Sequence, residues 1–423
     1  MIAIIGGGLS GLTSAKCLEE AGADYVLYEA SDELGGRLKT RRTPDGFTLD
    51  EGFQVLLDSY PAVRTHLDLA GLDAVPLDAG VLMWDDGLFF RLRSPLHHPA
   101  WWITAALSDA FSFFDRVKAA TLVANVMSWS DEAILERCGT LRDRSTWRYL
   151  ESLGFSEDIL ERFFRPFFGG VFLDDSLSVS CGLFRYYLKK FATGQALLPA
   201  GGIAAVPAQL ASHLPSDRIR RRARVEAIEH REGRATGIRI GGELIETEMI
   251  VLATDPTTTA KLLGFGEPRW LGARVHYFST DEALYSGATL VLPAGSGCTV
   301  RHLIDLTNAR PDLAPAGRRL ISATVIGAAL EKPADETEQL AQQEIERIFP
   351  ASKGRLTPVE TIEVPHAVPV QEPGFAADIP VTPYAGLRIA GYQKVHASIQ
   401  GAMQAGEEAA EAALSAIANR VRE

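Results

Sequence analysis

The sequence predicts an α/β fold in which a Rossmann-like parallel sheet carries a second, discontinuous α+β domain. Three observations lead there. Met1 to Ile5 is an apolar run suited to a buried parallel strand, and Gly6, Gly8 and Gly11 follow it directly as G-x-G-x-x-G. Leu12 to Glu20 then reads as a helix, and Tyr25 to Tyr28 as a second strand ending on Glu29. At the far end, Leu387 to Ala416 reads as a strand, a loop and a helix capped near Ser398. At 423 residues the chain has room for two cores.

Each part of the first stretch has a physical task. Gly6 permits a tight turn, Gly8 lets backbone approach a pyrophosphate, and Gly11 lets helix and strand pack closely. Leu9 and Ser10, between the glycines, are candidate cofactor contacts, and the helix N-terminus offers free N–H groups and a partial positive charge to phosphate oxygens. Glu29, followed by Ala30, can accept hydrogen bonds from an adenosine ribose, and its charge would repel a 2′-phosphate. Glycine turns are common. The preceding strand, the acid at the expected distance and a second glycine pair, Gly35-Gly36-Arg37, single this one out.

The run MIAIIGGGLSGLTSAKCLEEAGADYVLYEASDELGGR resembles the N-terminus of the flavin amine oxidase and carotenoid desaturase superfamily. The resemblance implies an FAD-binding domain of glutathione-reductase type, with Gly35, Gly36 and Arg37 passing close to the pyrophosphate and flavin. A plain nicotinamide dehydrogenase has no need of these three residues. The expected cofactor is therefore one FAD rather than NAD, held non-covalently.

Composition narrows the partners. Hydrophobic content of 46% and charged content of 23% are those of an ordinary soluble globular protein. A net charge of −12 argues against nucleic acid or anionic lipid as principal partner. The Arg-rich run Arg218 to Arg224 is the local exception and reads as a solvated strand edge or turn. Cys17, Cys138, Cys181 and Cys298 lie far apart with no C-x-x-C, which suits reduced thiols rather than a disulfide frame or a zinc site. No signal peptide precedes the first strand and no apolar run reaches membrane-spanning length. A cytoplasmic protein with at most peripheral membrane contact is expected.

Beyond Arg37, a turn at Pro44-Asp45-Gly46 leads into a short strand, Phe47 to Leu49, and then Asp50-Glu51-Gly52-Phe53-Gln54. The superfamily places an Asp-x-Gly element here beside the isoalloxazine. That makes Gly52 and Phe53 candidate cofactor contacts and Gln54 a candidate flavin or substrate contact; a strand-to-helix turn with no ligand is the alternative. Tyr60 to Leu69 reads as a helix, and Leu77 to Phe90 as a hairpin about Asp85-Asp86-Gly87. Pro95 to Arg137 is helical and aromatic, with Trp101, Trp102, Phe111, Phe113, Phe114 and Trp129. Such a stripe is commonly core, whereas relatives that take lipid-soluble substrates place a lid and a membrane-touching patch here. In ERFFRPFFGGVF, within Phe155 to Phe172, Pro166 is expected to break the helix and Gly169-Gly170 to form a loop.

The phrase LLPAGGIAAVPAQL resembles the superfamily's return to the FAD domain, with a strand from Ala196 to Pro199 and a helix from Ile203 to His213. Three or four strands in period two follow, up to the buried Val251-Leu252-Ala253-Thr254. In relatives the residue in the slot of Val225 lies against the adenine, and the strand ending near Ala253 approaches the dinucleotide. A plain core strand is the alternative for each. Arg269 to Phe349 reads as alternating strands and then a long helix from Ala334. The resulting division assigns 1–75, 195–265 and 356–423 to the FAD domain, and 76–194 and 266–355 to the substrate domain.

The C-terminal string LRIAGYQKVHASIQGAMQAGEEAAEAAL resembles the superfamily's last strand and helix. This implies that Gly391, Tyr392, Ser398, Ile399, Gln400 and Ala402 border the cofactor, with the positive helix end toward the pyrimidine end of the flavin. Tyr392 stands where relatives of the desaturase branch carry Asp. The bulkier, neutral side chain is expected to leave FAD bound but less tightly, so that Tyr392→Asp tightens binding by about 1 kcal/mol in an FAD titration.

The substrate reading rests on absences. Amine oxidases of the superfamily hold a lysine near flavin N5 in the substrate-domain sheet, and this chain has no lysine between Lys261 and Lys332. Those enzymes also flank the amine with aromatics, one of them in the slot of Ser398. The segment VPHAVPV before the last strand offers neither a cage tyrosine nor a flavin-linking cysteine. The expectation is an FAD-dependent dehydrogenase or desaturase that passes hydride from an apolar, polyene- or isoprenoid-like substrate to flavin N5. With a single dinucleotide fingerprint, oxygen or a quinone is the expected electron acceptor. No dedicated base stands out: Gln54, His366 and His396 are the candidates, and a structural role is the alternative for each histidine. An amine or protoporphyrinogen-type oxidase, an FAD-dependent polyene isomerase and a non-catalytic protein on the same scaffold are the competing readings.

Overall fold

Ile2–Ile5 has no polar side chain to keep wet, and all four residues are buried in the middle of a five-stranded parallel sheet. In the computed structural model the described residues are 1–93, 110–136, 138, 143–295, 297–375, 383–391 and 396–422. The strand order is Ile219–Arg220, Tyr25–Tyr28, Ile2–Ile5, Met249–Leu252 and Leu387–Ile389. Ile2 lies opposite both Tyr25 and Met249. Alternation along the strands decides what covers each face. Ile2, Ile4 and Leu27 pack with the helices Leu9–Glu20 and Ile399–Arg422. Ala3, Ile5 and Tyr28 pack under a three-stranded antiparallel sheet, Val225–Arg231, Arg234–Ile240 and Glu243–Glu246.

The two helices approach closely because Gly406 has no side chain. A Cβ there would lie 2.3 Å from the Ser10 carbonyl oxygen, and the Ser14 hydroxyl donates to the Gly406 carbonyl at 2.7 Å.

A second sheet has seven strands, in the order Thr357–Pro369, Trp270–Thr280, Arg319–Ile326, Val300–Asp305, Leu290–Pro293, Gly80–Asp85 and Leu88–Arg93. One face, with Phe278, Leu303 and Ile321, packs on the helix Ala334–Ile348 through Ala341 and Ile345. The other face, with Val275, Tyr277 and Ile304, packs on Leu49, Leu198 and Phe53. This second contact sets the sheet against the loop that follows Asp50.

Two expectations are corrected here. Residues 356–423 were assigned to the FAD domain, yet Thr357–Pro369 pairs with Trp270–Thr280 in the seven-stranded sheet, from Ser279 opposite Thr357 to Trp270 opposite Pro369. Pro358, Pro365 and Pro369 hide the strand signal. They are tolerated because the strand lies at the edge of the sheet, where one side of the backbone needs no partner. Pro166 likewise does not break a helix. A single π-helical turn, Leu160–Phe164, runs into the helix Arg165–Phe172, and Pro166 sits in its first turn, where a missing N–H is harmless. Gly169 and Gly170 are helical, not a loop, and the helix ends on Leu173 with a left-handed φ of 58°. Gly170 is small for a packing reason: a Cβ there would lie 2.0 Å from His302 Nε2.

In the aromatic stretch, Phe113 and Phe114 are exposed at the start of the helix Phe113–Met127, and Trp129 packs against the core. Trp101 and Trp102 lie outside the described residues. No helix among the described residues is long and apolar enough to cross a membrane.

Candidate functional site

The first glycine turn shows which glycines the protein itself needs. Gly6 has φ +104°, and a Cβ on it would lie 2.6 Å from the Ala253 carbonyl oxygen. A Cβ on Gly11 would lie 1.9 Å from the Gly6 carbonyl oxygen. Gly8 differs. Its φ is −78°, open to any residue, and the nearest atom to an added Cβ is Gly36 Cα at 3.9 Å. Among the described residues nothing crowds a Cβ at Gly8, so the space over it is open to a ligand. The helix Leu9–Glu20 begins there with no side-chain cap and no acid in its first turn. Its first N–H groups are therefore left to an anion.

The second glycine pair closes the cradle. Gly35 N–H donates to the Gly7 carbonyl at 2.8 Å, and Gly8 and Gly35 form a parallel bridge. Glu29 stands beside this turn. Its Oε2 accepts from Gly7 N–H at 2.7 Å, and its Oε1 accepts from the Ser31 N–H at 2.7 Å and the Ser31 hydroxyl at 2.8 Å. Oε2 keeps a lone pair for a ribose hydroxyl. Ala30, next to it, is exposed. Ala223 N–H donates to the Glu29 carbonyl, which brings the buried Val225 end of the three-stranded sheet near the acid. Ala253 N–H donates to the Ile5 carbonyl at 2.8 Å, so Ala253 lies under the turn.

Arg37 reaches across to the second sheet. It donates to the Ala367 carbonyl at 3.0 Å and lies 5.7 Å over the Trp270 ring. Trp270 stacks on His366 at 5.2 Å. His366 is exposed in this stack, at the sheet edge rather than inside a cavity. The loop beyond Asp50 is held from both sides. Gly52 has φ +106°, and Gln54 Nε2 donates to the Glu51 carbonyl at 3.1 Å and the Arg37 carbonyl at 3.3 Å. The Phe53 ring meets His302 edge-on at 6.3 Å.

Asp50 is the residue that sequence reasoning passed over. Its Oδ1 accepts from the Thr40 hydroxyl at 2.5 Å and from Ile203 N–H at 2.9 Å, and the Tyr277 hydroxyl donates to its carbonyl at 2.9 Å. The carboxyl thus ties the loop to Thr40 and to the turn before the helix Ala205–Ser212, and the backbone carbonyl of the same residue ties it to the seven-stranded sheet. Burial pushes its pKa up to about 6, with the two hydrogen bonds opposing. The Asp-x-Gly string was a visible signal; its partners in the second sheet were not.

At the C-terminal helix the Ser398 hydroxyl accepts from Gly401 N–H at 2.9 Å and lies 2.9 Å from His396 Nδ1. Ile399 and Ala402 are half-buried in the first turn. Gln400 faces the protein, where its Oε1 accepts from Ala62 N–H at 2.8 Å. Gly391 is buried, and Tyr392 lies outside the described residues. His396 is fully buried, with its ring 4.6 Å from Tyr186. Burial, reinforced by the Lys190 charge, lowers its pKa to about 3, so the imidazole is neutral. Lys190 is itself buried and paired with Asp131.

Beside Ala397 a cleft opens, lined by Val171, Phe172, Val179, Leu183, Leu271 and Val368. Its polar wall is mostly occupied. Both oxygens of Asp174 accept from Ser176 and Ser178, and the Tyr187 hydroxyl donates to the Ala397 carbonyl at 2.9 Å. The buried face of the seven-stranded sheet near Phe53 presents Val275, Ile304 and Val364, and carries no lysine.

These residues fit an FAD: an uncapped helix N-terminus, a glycine with open space over it, an acid beside the turn and a second helix N-terminus on the same face of the sheet. A family profile described as "Flavin containing amine oxidoreductase" matches residues 9–414. The 15-cis-phytoene desaturase of Glycine max is 36% identical over 72 residues, 17% of this chain and 13% of the desaturase, so the match spans a small part of that relative. Among solved structures, an oxidoreductase from Methanosarcina mazei superposes with a TM-score of 0.75 at 19% identity, over 97% of this chain and 99% of that one. Cyclohexylamine oxidase from Brevibacterium oxydans gives 0.71 at 17% identity, over 98% and 99%. At these identities the two structures speak for the fold alone.

Proposed function

Because the chain belongs to the flavin-containing amine oxidoreductase family, we propose that it is an FAD-dependent dehydrogenase or desaturase acting on an apolar, polyene- or isoprenoid-like substrate. The observation that carries this is the cleft at Ala397. Its walls are aliphatic and aromatic, and its carboxylate and phenol already serve the protein. Such walls orient a hydrocarbon chain and keep water out, and they offer no cage for a cation.

Gly8, Leu9 and Ser10 would hold the pyrophosphate, Glu29 the ribose, and the loop Gly52 to Gln54 the ring edge. The N-terminus of the helix Ile399–Arg422 would set its positive end against the pyrimidine end of the flavin. Bound FAD supplies two-electron chemistry, taking hydride from a substrate carbon. His396, neutral and buried behind Ser398, acts on the helix cap rather than on a substrate proton. With one dinucleotide fingerprint, electrons leave to oxygen or a quinone. Contact with a membrane is peripheral at most.

Amine oxidation is the second reading, because full-length fold neighbours include an amine oxidase. The missing lysine and Ser398 in the aromatic slot weigh against it. The test is anaerobic titration of the purified yellow protein. Isoprenoid compounds should bleach the flavin, and benzylamine or a polyamine should not. Rapid bleaching by an amine would overturn the proposal.

A further inference from the structure

We propose that Gln371 is a specificity-determining residue whose side-chain N–H group reads an oxygen on the ligand of the apolar cleft. The ligand is then an oxygenated apolar molecule, a ketone, alcohol or ether on an isoprenoid-like skeleton, rather than a plain hydrocarbon. This rests on the reading of that cleft as the substrate site.

The argument begins with the orientation of the amide. Gln371 Oε1 accepts from Ala397 N–H at 2.9 Å. A carboxamide nitrogen cannot accept, so this bond settles which end is oxygen. The Gln371 carbonyl accepts from Ser180 N–H at 2.9 Å, which pins the residue from a second direction. The side chain is 7% exposed and lines the cleft. Its Nε2 is buried and has no partner among the described residues.

A buried amide donor left unpaired is costly, and such groups in folded proteins are served by protein, water or ligand. Among the described residues that line the cleft, the polar side chains are already engaged. Asp174 is saturated by Ser176 and Ser178, and the Tyr187 hydroxyl is directed at the Ala397 carbonyl. The acceptor that suits Nε2 is therefore one the ligand brings. A neutral amide N–H prefers a carbonyl, hydroxyl or ether oxygen. A protonated amine has no lone pair to offer, and a hydrocarbon would leave the N–H dry. One donor in an otherwise apolar wall would fix which end of an extended molecule enters first.

The test uses geranylacetone, an isoprenoid ketone, and the matching hydrocarbon with a methylene in place of the carbonyl. Binding of both to the purified protein is measured by calorimetry, and the flavin content of the same sample by absorbance. The ketone is expected to bind about tenfold more tightly, as one satisfied buried donor implies. Gln371→Met, which keeps the length and removes the donor, should bring the ratio to about one. Equal affinities in the unmodified protein would overturn the proposal, since water would then be serving the amide; that comparison needs no variant to fold. A ketone preference that persists in Gln371→Met would overturn it too. A sample without flavin that still prefers the ketone refutes the FAD reading and leaves this inference standing, whereas a flavin-loaded sample without the preference refutes this inference alone.

Discussion

Gly8 and Gly11 belong to one motif, yet the structure gives them different reasons to be glycine, and that difference can be measured. An alanine Cβ at Gly11 would sit 1.9 Å from the Gly6 carbonyl oxygen, against an ordinary contact of roughly 3.5 Å. Backbone must move to relieve it, at a cost of about 3 kcal/mol or more. A Cβ at Gly8 meets nothing among the described residues closer than 3.9 Å, in an ordinary backbone conformation. Valine there loses only the modest preference of a helix cap for glycine, about 1 kcal/mol. In the flavin-free state, Gly8→Val should unfold in urea within about 1 kcal/mol of the unmodified protein, and Gly11→Ala should be markedly weaker. With FAD the order changes. Gly8→Val should lose at least about a hundredfold in affinity, close to 3 kcal/mol, because its methyl groups take the space of the pyrophosphate. Urea denaturation of the stripped proteins and fluorescence titration with FAD read the two effects separately. Normal flavin content in Gly8→Val would refute the cradle, and equal instability of the two stripped variants would refute the packing argument.

Three further outcomes are expected. Asp50 has a folded pKa raised to about 6 from 3.8, so the native state binds the extra proton and this group favours folding increasingly as pH falls from about 6 toward 4. Asn keeps both hydrogen bonds, since Thr40 and Ile203 share Oδ1. Urea midpoints at pH 7 and pH 5 should therefore show the unmodified protein gaining relative to Asp50→Asn, by about 1.3 kcal/mol; parallel pH profiles would contradict the burial argument. Gly170→Ala should lower the unfolding temperature by the equivalent of about 2 kcal/mol, because its Cβ would overlap His302, and an unchanged thermal midpoint would show that the ring yields freely. Acid precipitation should release all yellow colour to the supernatant, and colour remaining with the pellet would disprove non-covalent binding.

How much of this was readable in the chain depends on how local each requirement is. The cradle was readable because its demands fall on single residues close in sequence: glycines at Gly6, Gly8, Gly11, Gly35 and Gly36, and an acid at the end of the next strand. The C-terminal helix was readable for the same reason, through Ser398 and its cap. Asp50 was seen only as part of a loop, because Ile203 lies 153 residues away and nothing in a buried aspartate announces its partners. Gln371 carries no signal in the sequence, because only the fold places Ala397 beside it. The edge strand Thr357–Pro369 was not legible because three prolines interrupt its pattern, and the helix through Pro166 was misread because a π turn absorbed the break.

The close crossing at Gly406 has a consequence for the order of events during synthesis. Ser14 and Gly406 are joined by a hydrogen bond across 392 residues of chain. The helix that opens at Gly8 leaves the ribosome before the one that opens at Ile399, yet they support each other where Gly406 lets the two backbones approach. Until the last fifty or so residues emerge, the first helix has an uncovered flank and the central strand lacks the last member of its sheet, Leu387–Ile389. A nascent or C-terminally truncated chain would display the whole fingerprint and still have no finished place for FAD.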